Sequence, residues 1–140
     1  MLTSLQELYT NYDETVVAIR KKARMFDGFF GLGKDPKKDP CHAAFYAAVG
    51  TWMEQFVASA PAQEDVLQAG MFLVEEPVRF YSKECYWFMF AAQGHMKALI
   101  PLMDKTTCKT IHDRISGLYK KYERMPLQND LLKLLKKAAK

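Results

Sequence analysis

Cysteine is scarce in this sequence, and none of the three cysteines has a spacing that marks a disulfide framework. Cys41, Cys85 and Cys108 form an odd set and lie far apart along the chain. An odd number of distant cysteines is typical of free thiols in a reducing compartment. We therefore expect a cytoplasmic protein.

A long uncharged apolar run is also missing. The most apolar segment, residues 85–103, is interrupted by Gln93, His95, Lys97 and Pro101. Because a membrane-spanning helix needs about 20 apolar residues with almost no charge, this segment predicts a buried helix instead. The first residues, MLTSLQELY, contain neither the basic nor the apolar stretch of a signal peptide. We expect no association with a membrane.

Strand patterns are absent as well, since no segment alternates polar and apolar residues between turn signals. Apolar residues instead recur at helical spacing. The 140 residues, of which 49% are hydrophobic and 26% charged, predict one globular all-α domain that spans residues 1–140. Six helices are predicted, over residues 4–24, 40–58, 62–75, 83–100, 104–123 and 126–139.

The fourth predicted helix is the centre of this fold, because it is apolar on nearly all sides. We expect Ser82 to cap its start and Pro101 to end it. The second helix has the clearest start, with Asp39 as the N-cap and Pro40 at the first helical position. A short extended connection, VRFY at residues 78–81, should follow helix 3. Helix 6 should begin at Pro126, and its inward-facing residues should be Leu127, Leu131, Leu134, Leu135 and Ala138.

Helices 2 and 4 resemble each other. Residues 41–50 match residues 85–94 at a constant offset of 44, with Cys, aromatic-Ala-Ala and Gly in the same places. HEAT and armadillo repeats have periods of about 40–47 residues. The chain is therefore expected to form either a compact bundle or a short right-handed superhelix of α-hairpins, with Gly50 close to Gly94.

One motif resembles a nucleotide-binding loop but lacks its essential parts. Gly28 and Gly33-Lys34 have the spacing of a P-loop, but Asp35 replaces the Ser or Thr that would bind magnesium. A P-loop also follows a strand, whereas a helix precedes this segment. We reject nucleotide binding here and predict a long loop over residues 25–39, which is either packed on the core or a lid.

Metal ligation and nucleophilic catalysis have only weak signals. Cys108 and His112 lie four residues apart, but no pair has the spacing of a recognised metal motif. Cys41 lies in a first helical turn, where a thiol pKa falls, yet His42 points in another direction as its immediate neighbour. We predict no metal and no cofactor.

A small-molecule pocket between helices 2 and 4 is a stronger candidate. Pockets between helices are apolar and aromatic, with a few polar groups that point inward. The same residue types at helical spacing are also typical of ordinary core, and that alternative stays open. The candidate pocket residues are His42, Tyr46, Trp87, Gln93 and His95.

The C-terminal quarter of the chain is basic, with ten Lys or Arg against four Asp or Glu in residues 104–140. Such a face binds anionic partners such as nucleic acid, or is simply solvated. The sequence pI is 8.9 and no nucleic-acid-binding motif is present, so nucleic acid is not favoured. The candidate basic face consists of Arg114, Lys121, Arg124, Lys133, Lys136, Lys137 and Lys140.

Together these patterns favour a non-catalytic, cytoplasmic binding or interaction module for a protein partner or a small apolar molecule. The first alternative is an electrostatic nucleic-acid binder that uses helices 5 and 6. The second is an enzyme or metal protein that uses His42, His95 and the cysteines. Helix 6 could also dock on a second copy of the chain to form a homodimer.

Overall fold

The computed structural model describes residues 1–27, 38–80, 87–120 and 124–140, and only the backbone of residues 23–27. This part of the chain contains six α-helices and three 3₁₀ helices. The 3₁₀ helices cover Glu76–Phe80, Ala92–Ala98 and Ile100–Leu102. The α-helices are α1 (Leu2–Asp27), α2 (Pro40–Ala58), α3 (Gln63–Glu75), α4 (Trp87–Ala91), α5 (Lys105–Leu118) and α6 (Pro126–Ala138).

The helices form an all-α bundle, and the described residues contain no strand. Helix α1 packs on α2, α3 packs on α5, and α5 packs on α6. The 3₁₀ segment Ala92–Ala98 lies against α2, α3 and α6. The buried apolar side chains form one cluster to which every α-helix contributes. None of the helices described is both long and apolar enough to cross a membrane.

Three helices start where the sequence predicts: α2 at Pro40, α5 directly after Asp104, and α6 at Pro126. The Asp39 carboxylate accepts a hydrogen bond from the backbone N–H of Cys41 at 2.9 Å, and Pro40 follows it as the first residue of α2. The Asp104 carboxylate accepts from the N–H of Thr107 at 2.7 Å at the start of α5. These bonds satisfy backbone donors that a helix cannot satisfy internally. The hydrogen bonds from Thr107 hold the pKa of the Asp104 carboxyl below its ordinary value.

The central helix differs from its prediction. A continuous α-helix over residues 83–100 is wrong, because the α-helical part described is only Trp87–Ala91 and the chain then winds more tightly as a 3₁₀ helix. Gly94 and Pro101 weaken an α-helix here. Gln93 and His95 are also held by partners on other helices, as described below. The predicted cap Ser82 lies outside the described residues.

Other boundaries and faces also need correction. Helix α1 starts at Leu2 and continues to Asp27, and a 3₁₀ helix replaces the extended connection expected after α3. Helix α5 ends at Leu118, where Tyr119 becomes extended (φ −111°, ψ 106°), so a helix to residue 123 is wrong. In α6, Leu134 is exposed and Gln128 is buried, because the buried stripe runs through residues 128, 131, 132 and 135.

The two glycines of the internal similarity have different surroundings, and their expected closeness stays a prediction. A Cβ added to Gly50 would meet the His95 ring, whereas one added to Gly94 would meet Leu127 of α6. The backbone also differs between the two matching segments, since α2 is a continuous α-helix and Ala92–Ala98 is 3₁₀. The glycine-rich segment that resembles a P-loop, residues 28–34, lies outside the described residues, as does most of the predicted loop.

Candidate functional site

An open groove lies where α4 and the following 3₁₀ helix meet the start of α6. Its volume is about 800 Å³, within the roughly 300–1,000 Å³ range of ligand sites in proteins. Helix α2 contributes one residue to it, and the rest come from α4, the 3₁₀ segment and the first turn of α6. We call this surface the Trp87 groove; it is lined by Tyr46, Trp87, Phe88, Ala91, Gly94, Lys97, Met125, Pro126 and Leu127.

Two large aromatic side chains on the groove are exposed. Trp87 keeps 55% of its surface accessible and Tyr46 keeps 40%. The indole of Trp87 packs edge-on against the Phe88 ring, with 5.4 Å between their centroids. Between these aromatic walls the lining residues Ala91 and Gly94 are small. The groove therefore arises because bulky side chains border small ones, and it exposes apolar surface to solvent.

His95 lies behind Tyr46 and holds it in place at the edge of the groove. Its Nε2 lies 2.9 Å from the backbone carbonyl oxygen of Tyr46, and the two rings are 4.4 Å apart. Because a carbonyl oxygen only accepts, Nε2 must carry the proton. The ring rests on Gly50, where an added Cβ would come within 2.8 Å of the imidazole Cε1. His95 thus holds the aromatic wall by reaching across to the backbone of α2.

Among the lining residues that the structure describes, Lys97 is the one that carries a charge. Its side chain is exposed, and no described acidic group forms an ion pair with it. The first turn of α6 lies on the same groove, and the N-terminal end of a helix carries partial positive charge. The groove is therefore apolar with a positive edge.

Gln93 points away from the groove into a buried hydrogen-bonded network. Its amide nitrogen donates to the carbonyl oxygen of Leu73 at 3.0 Å and to the hydroxyl of Tyr119 at 2.8 Å. Its amide oxygen accepts from the amide of Gln128 at 2.8 Å. All three of these bonds cross between elements, so Gln93 ties α3 and the residue after α5 to α6.

Tyr119 and Gln128 complete this network. The Tyr119 hydroxyl donates to the carbonyl oxygen of Val74 at 2.8 Å, and burial raises its pKa to about 12. The amide oxygen of Gln128 accepts from the N–H of Met125 at 2.8 Å. Buried polar groups need such partners because an unsatisfied one costs about 1–3 kcal/mol. The network is structural, and its function is to fix helix positions around the groove.

His42 is buried in α2, one helical turn before Tyr46. It shares a hydrogen bond of 2.6 Å with the Tyr12 hydroxyl and stacks on the Phe88 ring at 5.1 Å. Phe88 is itself one of the residues that line the groove. His42 therefore supports a groove residue without lining the groove itself.

The five predicted pocket residues divide into three positions. Tyr46 and Trp87 line the groove, His95 lies behind Tyr46, and His42 and Gln93 are in buried contacts. Their assignment to a ligand pocket stays a prediction. The sequence reasoning missed the contribution of α6, which supplies Met125, Pro126 and Leu127. No local pattern marks these residues, because their position depends on how α6 packs.

The predicted basic face is only partly free to meet a partner. Arg114 forms an ion pair with Glu75 at 3.0 Å, and Arg124 donates to the carbonyl oxygen of Tyr119 at 2.9 Å. Lys121 lies outside the described residues. Three lysines of α6 and Lys140, which lies just past the end of that helix, are all exposed: Lys133, Lys136, Lys137 and Lys140.

The residues considered for metal or thiol chemistry are not gathered into a centre. Among described positions, no three His, Cys, Asp or Glu side chains are grouped so that they could hold a metal ion. Cys108 is a free thiol, and Cys85 is outside the described part. Burial raises the pKa of the Cys108 thiol, which disfavours the reactive thiolate. His112 lies 3.1 Å from the neighbouring Asp113 carboxylate.

Comparison of the chain with protein-family models, with curated proteins and with solved structures finds no match. The function therefore has to be argued from the chemistry of the described residues. The most distinctive feature of these residues is the exposed apolar Trp87 groove, together with the side chains that fix its lining residues in place.

Proposed function

We propose that this protein is a non-catalytic binding module that receives an apolar group in the Trp87 groove. The observation that carries the proposal is the exposure of Trp87 and Tyr46 on a groove of about 800 Å³. Exposing large aromatic surface to water is unfavourable, and contiguous exposed apolar patches are typical of interaction sites. A protein partner and a small apolar molecule would both cover this surface.

The contacts behind the groove support a binding role. The His95 bond to the Tyr46 carbonyl and the His42 stack on Phe88 hold two lining residues in place before any ligand arrives. A site that is already ordered loses less conformational entropy on binding. The Gln93 network in turn fixes the segment that supplies Gly94 and Lys97.

A non-catalytic role and a cytoplasmic location belong to this proposal. Both candidate histidines use a ring nitrogen in a structural hydrogen bond, and the raised pKa of the Cys108 thiol disfavours its use as a nucleophile. The free thiol of Cys108 fits a reducing compartment.

The test uses anilinonaphthalene sulfonate, whose aromatic rings and single negative charge match the groove. We expect its fluorescence to rise on binding and the signal to be lost in Trp87→Ala and in Gly94→Leu. A Cβ at Gly94 would meet only Leu127, at ordinary contact distances of 3.6 and 3.8 Å, so the larger side chain should fill the groove without unfolding the protein. Val17→Ala is the control, because Val17 is an exposed apolar residue on α1.

Equal binding of the dye to all four proteins would refute the proposal. Native mass spectrometry of the purified protein is the complementary measurement, since it would show a retained small molecule as added mass and a homodimer as doubled mass. A molecule retained by the wild type and absent from Trp87→Ala would identify the natural ligand class directly.

A second candidate function, electrostatic binding of nucleic acid, is supported by the lysine face of α6. Lys133, Lys136, Lys137 and Lys140 are exposed, and none of them forms an ion pair with a described residue. Such binding should weaken steeply with salt, because each phosphate contact releases counterions. Retention of a duplex oligonucleotide at low salt, lost in Lys136→Glu/Lys137→Glu, would support it. No retention even at low salt would eliminate it.

A further inference from the structure

We propose that the occupant of the Trp87 groove is one face of an acidic amphipathic helix from a partner protein. This inference rests on the proposed function and names the partner class for the same site. The helix would place apolar side chains between Trp87 and Leu127 and a carboxylate beside Lys97.

The charge of the groove selects an acidic partner. Lys97 is exposed on the groove edge without an ion pair among the described residues, and none of the described residues that line the groove is acidic. The positive end of the α6 dipole adds to the same sign. A basic peptide would therefore be repelled at this edge, whereas a carboxylate would gain an ion pair with Lys97. Complementary charge of this kind sets specificity at protein interfaces.

The openness of the groove favours a polypeptide over a small molecule. Pockets for small molecules bury about 70–90% of the ligand surface. Here Trp87 and Tyr46 face outward and remain about half exposed, so the walls border a ligand without enclosing it. Trp, Tyr and Met are the residue types enriched at protein interfaces, and Trp87, Tyr46 and Met125 supply one of each.

The backbone of the partner should be helical. Strand addition requires the free edge of a sheet, and the structure has no strand within its described ranges. An amphipathic helix instead lays its apolar face in a groove between helices, which is the geometry formed here by α4, the 3₁₀ segment and α6. The flexible Met125 and the aliphatic Leu127 suit the varied side chains of such a face.

The experiment selects peptides from a random library, so neither their charge nor their helical pattern is chosen in advance. A displayed library of random peptides of about 16 residues, enough for four helical turns, is panned on the full chain. Binders that persist on Trp87→Ala are removed, so that the remaining sequences depend on the groove. We expect these sequences to be acidic and to repeat apolar residues at helical spacing. A chosen synthetic peptide should gain helical circular dichroism when it binds.

A charge reversal tests the role of Lys97. Lys97→Glu should weaken binding of the selected acidic peptide by about two- to fivefold, the effect of losing an exposed ion pair, and selection on this variant should enrich basic peptides. Lys133→Glu is the matched control, since it makes the same charge change on the lysine face of α6 and should leave binding unchanged.

Three outcomes would overturn the inference. Groove-dependent peptides with proline at the spacing of PxxP motifs would indicate a polyproline partner. If the selected peptide binds Lys97→Glu as tightly as the wild type, Lys97 does not select an acidic partner. If no peptide depends on Trp87 while the dye still does, the groove takes a small molecule: the inference fails and the proposed function stands. If dye binding is also independent of Trp87, both fail.

Discussion

The imidazole of His95 lies directly on Gly50, so closely that a Cβ at position 50 would come within 2.8 Å of its Cε1 atom. The same ring donates a hydrogen bond to the carbonyl oxygen of Tyr46, one helical turn earlier in α2. The absence of a side chain at Gly50 is therefore what lets His95 reach the backbone of α2. The position of Tyr46 in the groove therefore depends, through the His95 hydrogen bond, on Gly50, which does not line the groove.

The first prediction concerns this contact. Gly50→Ala should gain about 1 kcal/mol of helix propensity and lose about 1–3 kcal/mol through overpacking against His95, which gives a net loss of about 0–2 kcal/mol. In a His95→Ala background the same change should be stabilising. Urea unfolding of the four proteins measures both effects.

Gly117→Ala is the matched control for that prediction. Gly117 also lies in a helix, but nothing would lie within 4 Å of a Cβ added there. This change should stabilise the protein by about 0.5–1 kcal/mol. If Gly50→Ala is as stabilising as Gly117→Ala in the wild-type background, the His95 contact does not constrain position 50.

The second prediction compares two buried tyrosines. The Tyr9 hydroxyl has no hydrogen-bond partner among the described residues, although its ring packs edge-on against Phe45 and Phe72 at 4.9 Å. The Tyr119 hydroxyl bonds to Val74 and Gln93. Tyr9→Phe should leave stability unchanged or raise it by up to about 1 kcal/mol, whereas Tyr119→Phe should lower it by about 1–3 kcal/mol. Equal losses in urea unfolding would contradict this.

The starts of α2, α5 and α6 could be predicted from the sequence because local chemistry determines them. Asp39 and Asp104 bond to backbone groups within three residues, and Pro126 fits the first helical position for steric reasons. The all-α class follows from periodicity in the same way. These features need no knowledge of what packs against them.

The remaining differences come from contacts between residues far apart in the sequence. The tight winding after Ala91 and the early end of α5 accompany the bonds of Gln93 and Tyr119 to Leu73, Val74 and Gln128, 20 to 45 residues away. No local pattern encodes such partners. Tyr46 and Trp87 could be proposed as pocket residues from their aromatic side chains alone. Leu127 could not, because its place in the groove depends on how α6 packs.

The third prediction concerns the Gln93–Gln128 pair. Gln93→Leu should lower the free energy of unfolding by about 2–4 kcal/mol, because it leaves the Gln128 amide and the Leu73 carbonyl without a partner. Gln128→Leu should also destabilise, since it removes the acceptor of the Met125 N–H. The double variant should lose less than the sum, by about 1 kcal/mol. Strict additivity in urea unfolding would show that the two amides do not interact.

The fourth prediction is a loss of stability at high pH. Burial raises the pKa of Tyr119 from 10.0 to about 12, so between these values the folded protein keeps a proton that the unfolded chain releases. The contribution is complete below about pH 10 and decreases as the pH rises towards 12. Burial also raises the pKa of Tyr9, which acts in the same direction. Unfolding free energies of the wild type and of Tyr119→Phe, measured across this interval, isolate the contribution of Tyr119. The wild type should lose stability more steeply than the variant, and parallel curves would show that Tyr119 ionises equally easily in the folded and unfolded states.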